Sequence, residues 1–261
     1  TSPMGFENDL RVLIKEPYPK MIKDGGIGKF SMHKQPSPEA LPEANLISLF
    51  DLDNEFSLAY EMAVTNHNLK HEWSKAVINE SRKLKDKNFD IESVIDLRGK
   101  TFVTIDGKSA KDFDDAVLGE KDEHGNLILY VAIADVARYI DAGSHLDKEA
   151  FDRGTSVYFS QRVIPMLPEE LSNDLCSLKP DEDRFCIVCK TTVSEDGSLT
   201  DTSFFEAIIN SKSRLTYPTV SREIEKKQFK KPYADSLRVL LKIYRRLKKN
   251  RVERGSLELE V

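Results

Sequence analysis

The sequence has no long apolar run and little cysteine. No segment of its 261 residues approaches the ~18 apolar residues of a membrane-spanning helix, so we expect no membrane partner. The first residues contain no apolar core of a secretory signal, and they lack an initiator Met, which suggests a cut from a longer chain. Three cysteines are too few for a disulfide scaffold, which favours a reducing compartment, the cytoplasm.

Negative charge is in excess over the whole chain but not at every place in it. The formal net charge is −5, whereas the stretch from Arg222 to Arg254 contains 13 Lys and Arg residues against four Asp and Glu residues. Such asymmetry indicates an anionic partner on one face, although a solvated helix face explains it equally well. Within this stretch, steps of four, three and four residues place Arg238, Lys242, Arg245 and Lys249 on one side of a helix.

The hydrophobic pattern predicts an α+β fold with a mixed or antiparallel sheet and helices packed outside it. Loops are expected over 17–42, where Pro and Gly are frequent, and a polar turn over 51–55. An exposed helix is expected over 73–88, and an apolar stripe of Leu237, Leu240, Leu241, Tyr244 and Leu247 marks a helix over 233–255. A further short helix is expected over 145–154. The predicted strands are 9–14, 45–50, 57–64, 101–105, 127–134, 184–193 and 199–210.

Four carboxylates lie within ten residues in the segment TIDGKSAKDFDDAV, residues 104–117. Carboxylates this close repel one another unless they share cations, and Mg²⁺ prefers carboxylate oxygens, water and phosphate oxygens. An exposed acidic turn is the alternative, but apolar residues threaded through the segment indicate that it rests on a core. The spacing brackets one tight turn, so we expect the side chains of Asp106, Asp112, Asp114 and Asp115 to converge in one metal pocket.

Several motifs in order resemble the catalytic (RNB) domain of the ribonuclease II/ribonuclease R family, and they are nearer to the ribonuclease R branch. The pattern T-I-D, five residues, then D-F-D-D-A precedes an apolar strand that ends in A-I-A-D-V. The later motifs are RGTSVYF (153–159), VIPMLPEELSNDLCSL (163–178), DRFCIVC (183–189) and INSKSRLTY (209–217). This resemblance covers the chain from about residue 96 onward.

The resemblance implies an Mg²⁺-dependent, processive exoribonuclease that degrades single-stranded RNA from the 3′ end to 5′-mononucleotides. It places Asp106, Asp112, Asp114 and Asp115 at the acidic positions that hold Mg²⁺, with Asp112 and Asp114 as catalytic residues. Tyr158 matches the aromatic residue that stacks on the terminal base. The alternative for Tyr158 is a core or rim residue beside Phe159.

Tyr217 matches a Tyr that favours RNA over DNA, so DNA is not an expected partner. The alternative is that Tyr217 simply ends a strand before Pro218.

The resemblance also implies a domain order. We expect residues 1–72 to form part of a cold-shock-like OB region, residues 73–95 to form a linker helix, and residues 96–261 to form the N-terminal part of the RNB domain. The family's Arg-rich segment and downstream RNA-binding domain are not found, so we expect a fragment. A rival hypothesis is a non-catalytic RNA-binding or regulatory module that retains the RNB fold.

Overall fold

The computed structural model describes residues 11–14, 26–38, 40–50, 55–87 and 89–256. Its strands are β1 (Leu13–Ile14), β2 (Gly28–Lys34), β3 (Glu43–Leu49), β4 (Ile95–Asp96), β5 (Val103–Asp106), β6 (Asp115–Lys121), β7 (Leu127–Ala134), β8 (Val157–Tyr158), β9 (Val163–Ile164), β10 (Asp183–Val193), β11 (Leu199–Asn210) and β12 (Ser213–Thr216). Its α-helices are α1 (Glu55–Asn66), α2 (Lys75–Lys83), α3 (His145–Arg153), α4 (Tyr217–Glu225) and α5 (Ala234–Glu253). Single turns of 3₁₀-helix and π-helix lie at Leu84–Asp86, Val136–Arg138 and Leu171–Leu175.

The chain divides into two compact units. The first, here the N-terminal unit, comprises residues 1–72 together with residues 155–165. The second, here the C-terminal unit, comprises residues 73–154 and 166–261. The hairpin of β8 and β9 therefore belongs to the N-terminal unit, although the chain on both sides of it belongs to the C-terminal unit.

The N-terminal unit contains a small sheet in the order β1-β3-β2, in which β2 and β3 are antiparallel and β1 is parallel to β3. The strand predicted over 45–50 is confirmed. Of the strand predicted over 9–14, only its last two residues are found as β1, and residues 9–10 lie outside the described residues. The expectation of loops over 17–42 is wrong at β2, and residues 17–25 and 39 of that range lie outside the described residues. Of the turn predicted over 51–55, residues 51–54 lie outside the described residues and Glu55 begins α1.

The strand predicted over 57–64 is wrong, because this segment lies within α1. Phe56, Tyr60 and Val64 are spaced by four residues, which puts them on one side of a helix, and Val64 is buried. Ala, Leu, Met and Glu are also strong helix formers, so propensity and burial agree.

The C-terminal unit is built on a seven-stranded sheet in the order β12-β5-β6-β7-β10-β11-β4. Parallel pairing joins β12 to β5 and β4 to β11, and the remaining pairs are antiparallel. The strands predicted over 127–134, 184–193 and 199–210 are confirmed, the last two as the long hairpin of β10 and β11. The sheet is therefore mixed, and the α+β prediction is confirmed.

Both faces of the sheet are packed, and the buried residues that the structure describes form three clusters. One face buries the largest cluster, which includes Phe102, Leu118 and Val188. Val77 and Leu84, from α2 and the turn after it, belong to the same cluster. The segment 73–88 was expected as an exposed helix. It instead contributes to the core through the buried Val77. Ser74 caps α2 by accepting a hydrogen bond from the Val77 N–H group (3.3 Å), which determines where the helix begins.

Helix α5 covers part of the opposite face. A Cβ atom at Gly119 on β6 would lie 2.9 Å from the backbone nitrogen of Leu240, so only glycine allows this close approach. The buried positions of α5 are Ala234, Ser236, Leu237, Val239 and Ile243. The predicted stripe is wrong at Tyr244, which is 56% exposed, because the helix turns Val239 and Ile243 onto the sheet. Within the described part of the chain, no helix is both long and apolar enough to span a membrane.

Candidate active site

The four Asp residues predicted from the sequence lie around one connection at the edge of the sheet. Asp106 is the last residue of β5 and Asp115 is the first residue of β6. These neighbouring strands run antiparallel, so the end of one and the start of the next meet at the same edge. The connection between them, residues 107–114, carries Asp112 and Asp114 and is called the acidic loop below.

The carboxyl groups of this region influence one another electrostatically. Burial raises the pKa of Asp106, and the negative charge of Asp115 raises it further. Partial removal of water likewise raises the pKa of Asp114, and the charges of Asp112, Asp115 and Asp106 add to the effect. The Oδ2 atom of Asp106 is buried and has no hydrogen-bond partner among the described residues. Uncompensated carboxylates of this kind are suited to a hard cation.

The side chains as placed do not form a finished ligand set. Among the residues that the structure describes, no group of three or more His, Cys, Asp or Glu side chains is arranged to hold a metal ion. The donor chemistry of the four carboxylates therefore fits Mg²⁺, while their convergence in one metal pocket stays a prediction.

The backbone of the acidic loop is anchored on the main core. Phe113 is buried there between the exposed or half-buried Asp112 and Asp114. The Ala134 N–H group of β7 donates a hydrogen bond to the Asp114 carbonyl oxygen (2.9 Å). Ser177 and Arg214 also hold the loop, and the sequence pattern assigned neither of them a role, although both lie in motifs quoted for the resemblance. No spacing pattern links residues so far apart in the chain.

Tyr217 lies at the same edge of the sheet as Asp106. Strand β12 runs parallel to β5, with Thr216 opposite Asp106 in the register. Tyr217 follows at once as the first residue of α4 and is 62% exposed. Thr216 caps this helix by accepting a hydrogen bond from the Thr219 N–H group (3.3 Å). The strand thus ends at Thr216, so Tyr217 begins a helix rather than ending a strand, and the pairing of Thr216 with Asp106 brings it to the end of β5 that carries Asp106.

Tyr158 lies in the N-terminal unit, on the hairpin of β8 and β9, and is 67% exposed. This exposure excludes a core residue, while the alternative of a rim residue beside Phe159 stays open. The next residue, Phe159, packs edge-on against Tyr60 of α1, with ring centroids 4.9 Å apart. Arg162 lies over the same Tyr60 ring at 4.9 Å. The hairpin that carries Tyr158 is thus fixed to α1 by an aromatic and cation–π cluster.

The four cations predicted on one side of α5 are all exposed. Arg238 pairs with Asp235 at 2.6 Å, and Lys249 approaches Glu253 at 3.8 Å, so acidic residues offset part of the charge at both ends. The common face of Arg238, Lys242, Arg245 and Lys249 is confirmed. Contact of this face with RNA stays a prediction beside the alternative of a solvated face.

A mixed sheet with four Asp residues at one edge defines an α+β domain with an acidic site. The model of the RNB domain family matches residues 94–261 of the chain. Ribonuclease R of Vibrio parahaemolyticus is 45% identical over 206 residues, which are 77% of this chain and 25% of that protein. The chain therefore belongs to the RNB domain family, and it spans about a quarter of the length of this relative.

Two solved proteins are similar in structure. Mycoplasma genitalium RNase R, solved with double-stranded RNA, matches with a TM-score of 0.85 at 27% identity. The match covers 96% of this chain and 46% of that chain. The same protein solved with ribose methylated single-stranded RNA has a TM-score of 0.85 at 26% identity, over 97% of this chain and 40% of that one. Yeast Ssd1, a pseudonuclease, matches with a TM-score of 0.65 at 16% identity, over 86% of this chain and 28% of that one. At this identity the match shows a common fold and nothing more.

Proposed function

We propose that this chain is part of an Mg²⁺-dependent exoribonuclease that degrades single-stranded RNA processively from the 3′ end to 5′-mononucleotides. The observation that carries the proposal is the set of four Asp residues at the junction of β5 and β6, two of which have raised pKa values. Membership of the RNB family and the RNA held by a similar solved protein support it. Three free cysteines are consistent with a cytoplasmic location.

In this proposal Asp106, Asp112, Asp114 and Asp115 hold Mg²⁺. When bound, Mg²⁺ supplies an activated water and neutralises charge on the phosphate oxygens. In the proposed hydrolysis, a water oxygen would bond to the last phosphorus atom and the bond from that phosphorus to the preceding 3′ oxygen would break. The proton lost by the water balances the proton taken up by that 3′ oxygen. A 5′-mononucleotide leaves, and the shortened RNA keeps a 3′ hydroxyl group. Asp112 and Asp114 are proposed as the catalytic pair because the resemblance to the family assigns them this role, and both lie on the acidic loop.

The other residues bind and orient the RNA. Tyr158, exposed on its hairpin, offers a ring on which a base can stack, since every base has a π-face. Tyr217 lies at the edge of the sheet beside Asp106, where the sugar and phosphate nearest the reaction must lie in this proposal. The exposed cations of α5 attract the phosphate backbone.

A labelled-RNA assay tests the proposed reaction. The complete protein that contains this chain is incubated with Mg²⁺ and a single-stranded RNA labelled at its 5′ end, and products are separated by length. We expect stepwise shortening from the 3′ end and no degradation of the matching DNA. Turnover in Asp114→Asn should fall by about 10²–10³-fold, the usual cost of losing one group that stabilises charge in the transition state. RNA affinity should change little, because binding is spread over many phosphate and stacking contacts. Asp201→Asn is the matched control, because it makes the same substitution at an exposed position outside the acidic loop. The φ of 50° at Asp201 is one that Asn also adopts.

The same assay separates the rival function. A non-catalytic RNA-binding module would keep the RNB fold without turnover. Ssd1, whose fold is similar, is described as a pseudonuclease. RNA that is bound but never shortened at saturating Mg²⁺ favours this rival. Wild-type turnover in Asp114→Asn contradicts the role of the four Asp residues.

A further inference from the structure

Two side chains from later in the chain hold the acidic loop at its two ends. Arg214 lies on β12, which pairs with β5, so Arg214 is directly opposite Thr104 in the register. Its Nη2 atom donates to the carbonyl oxygens of Gly107 (2.7 Å) and Lys108 (2.8 Å), the first two residues of the loop. The guanidinium group also lies 5.5 Å from the centre of the Phe113 ring.

Arg214 is not fully satisfied by these contacts. Its Nε atom is buried and makes no hydrogen bond within the described residues. A buried donor without a partner lowers stability, so an Arg at this position is not explained by stability alone. Its positive charge also acts on Asp106, the residue that precedes the loop.

Ser177 holds the other end of the loop. Its hydroxyl group accepts a hydrogen bond from the Phe113 N–H group (3.0 Å) and donates one to the Lys111 carbonyl oxygen (3.1 Å). Asp112 lies between these two bonded residues, and Asp114 follows them. The completely buried Ser177 is itself held by Arg184, whose Nε atom donates to the Ser177 carbonyl oxygen (3.0 Å).

We propose that Ser177 and Arg214 are positioning residues of the candidate active site. They hold the backbone of the acidic loop in one conformation against the mutual repulsion of its carboxylates, and they do so without touching metal or RNA. The inference rests on the proposed function, in which these carboxylates hold Mg²⁺. Groups that orient metal ligands from behind typically affect metal affinity by about 10–100-fold.

The first test compares two buried serines. Ser177→Ala removes both loop hydrogen bonds. Ser236→Ala is the matched control, because the Ser236 hydroxyl group also accepts from a backbone N–H group, that of Gly119 (3.1 Å), but where α5 packs on β6. Each variant is made in the 261-residue chain. Amide hydrogen exchange over residues 107–115 and Mn²⁺ binding by electron paramagnetic resonance are then measured.

We expect about tenfold faster exchange over residues 107–115 in Ser177→Ala, and Mn²⁺ affinity about 10–100-fold lower. In Ser236→Ala the exchange rate over residues 107–115 and the Mn²⁺ affinity should equal those of the wild type. This holds even if Ser236→Ala lowers the melting temperature as much as Ser177→Ala does. Equal effects of the two variants on the loop overturn the role of Ser177, because they show only a general loss of stability.

The second test uses Arg214→Lys, which keeps the charge but not the planar guanidinium group. Positioning predicts faster exchange over residues 107–115 and weaker Mn²⁺ binding in this variant, whereas a role of charge alone predicts wild-type values. This variant decides the matter even if Ser177→Ala does not fold. A wild-type chain that binds no Mn²⁺ contradicts the proposed metal site, while the exchange comparison still decides whether the two residues fix the loop. Unchanged exchange in both folded variants overturns the inference.

Discussion

Phe113 and the Asp residues beside it occupy opposite environments within three positions of the chain. The Phe113 ring is buried in the main core, while Asp112 and Asp114 retain access to solvent. Apolar residues threaded through the acidic cluster indicate such an arrangement from the sequence. The burial of Phe113 therefore explains how a loop rich in repelling charge stays attached to the domain.

Tyr158 gives a prediction at this scale. We expect Tyr158→Ala to weaken RNA binding by about 1–3 kcal/mol, because one base can no longer stack, and to shift the final product length. Tyr158→Phe should be close to the wild type, since the ring and not the hydroxyl group stacks. Fluorescence titration with a short RNA and product ladders measure both effects.

The melting temperature of the same variants provides the control. Since Tyr158 is 67% exposed, Tyr158→Ala should lower it little. A large fall in melting temperature with an unchanged product ladder would falsify the stacking role.

Among the elements, α5 combines a structural side and a charged side. Ser236, Val239 and Ile243 face the sheet, and Arg246 donates a hydrogen bond to the Val193 carbonyl oxygen (2.9 Å). Asn250 donates to the Asp196 carbonyl oxygen (3.1 Å) at the turn of the β10–β11 hairpin. These hydrogen bonds fix the rotation of the helix and so determine which cations remain exposed.

Neutralising the exposed face of α5 tests whether this face binds RNA. With Arg238, Lys242, Arg245 and Lys249 all changed to Gln, binding should weaken for every RNA sequence. The slope of log affinity against log salt should fall by ~0.7 for each RNA phosphate that the protein no longer neutralises. The control removes four exposed cations from α2 and α3, namely Lys75, Arg82, Lys83 and Lys148. If both variants show the wild-type slope, the face of α5 is simply solvated.

Element prediction succeeded where the length and pattern of the apolar residues fitted one kind of element, and it failed where they fitted two. Strand β7 is an apolar run of strand length, and the sequence predicts its bounds. In α1, by contrast, the apolar residues fit both a short strand and a helix, and the packing of Tyr60 with Phe159, about a hundred residues later, is specific to the helix. The acidic cluster was visible because its members are close in sequence.

At the scale of the whole molecule, charged side chains join distant parts of the C-terminal unit. Arg98 donates to Asp96 (2.8 Å) and to Asp183 (3.0 Å). A hydrogen bond from Asn210 and the interaction with Arg98 hold the pKa of Asp183 below its ordinary value, and hydrogen bonds from Arg98 hold the pKa of Asp96 at about 2. The connection after β4 is thereby tied to β10 and β11.

These shifts predict acid sensitivity. A carboxyl group whose pKa is lower in the folded state contributes stability above its unfolded pKa, near 4, and this contribution disappears as pH falls towards 2. Asp183→Asn should therefore be less stable than the wild type at pH 7, by no more than about 1 kcal/mol because the pair is partly exposed. The difference should shrink as pH falls below the unfolded pKa of Asp and through the lower folded-state pKa of Asp183.

Urea unfolding at several pH values measures this. Asp181→Asn is the control, since Asp181 is exposed and its φ of 60° is one that Asn also accepts. A constant difference between Asp183→Asn and the wild type from pH 7 to pH 2 contradicts the prediction.

The α+β class, the elements whose apolar pattern fits one structure, the acidic cluster and the family could all be predicted from the amino-acid sequence. These features depend on residues a few positions apart, whose spacing can be read directly in the chain. Three features instead follow from tertiary packing: α1 is a helix, one side of α5 is buried, and Ser177 and Arg214 hold the acidic loop. The hydrogen bonds of these two residues to the loop join positions 64 to 107 residues apart, and a bond over that distance has no periodicity that a sequence can display.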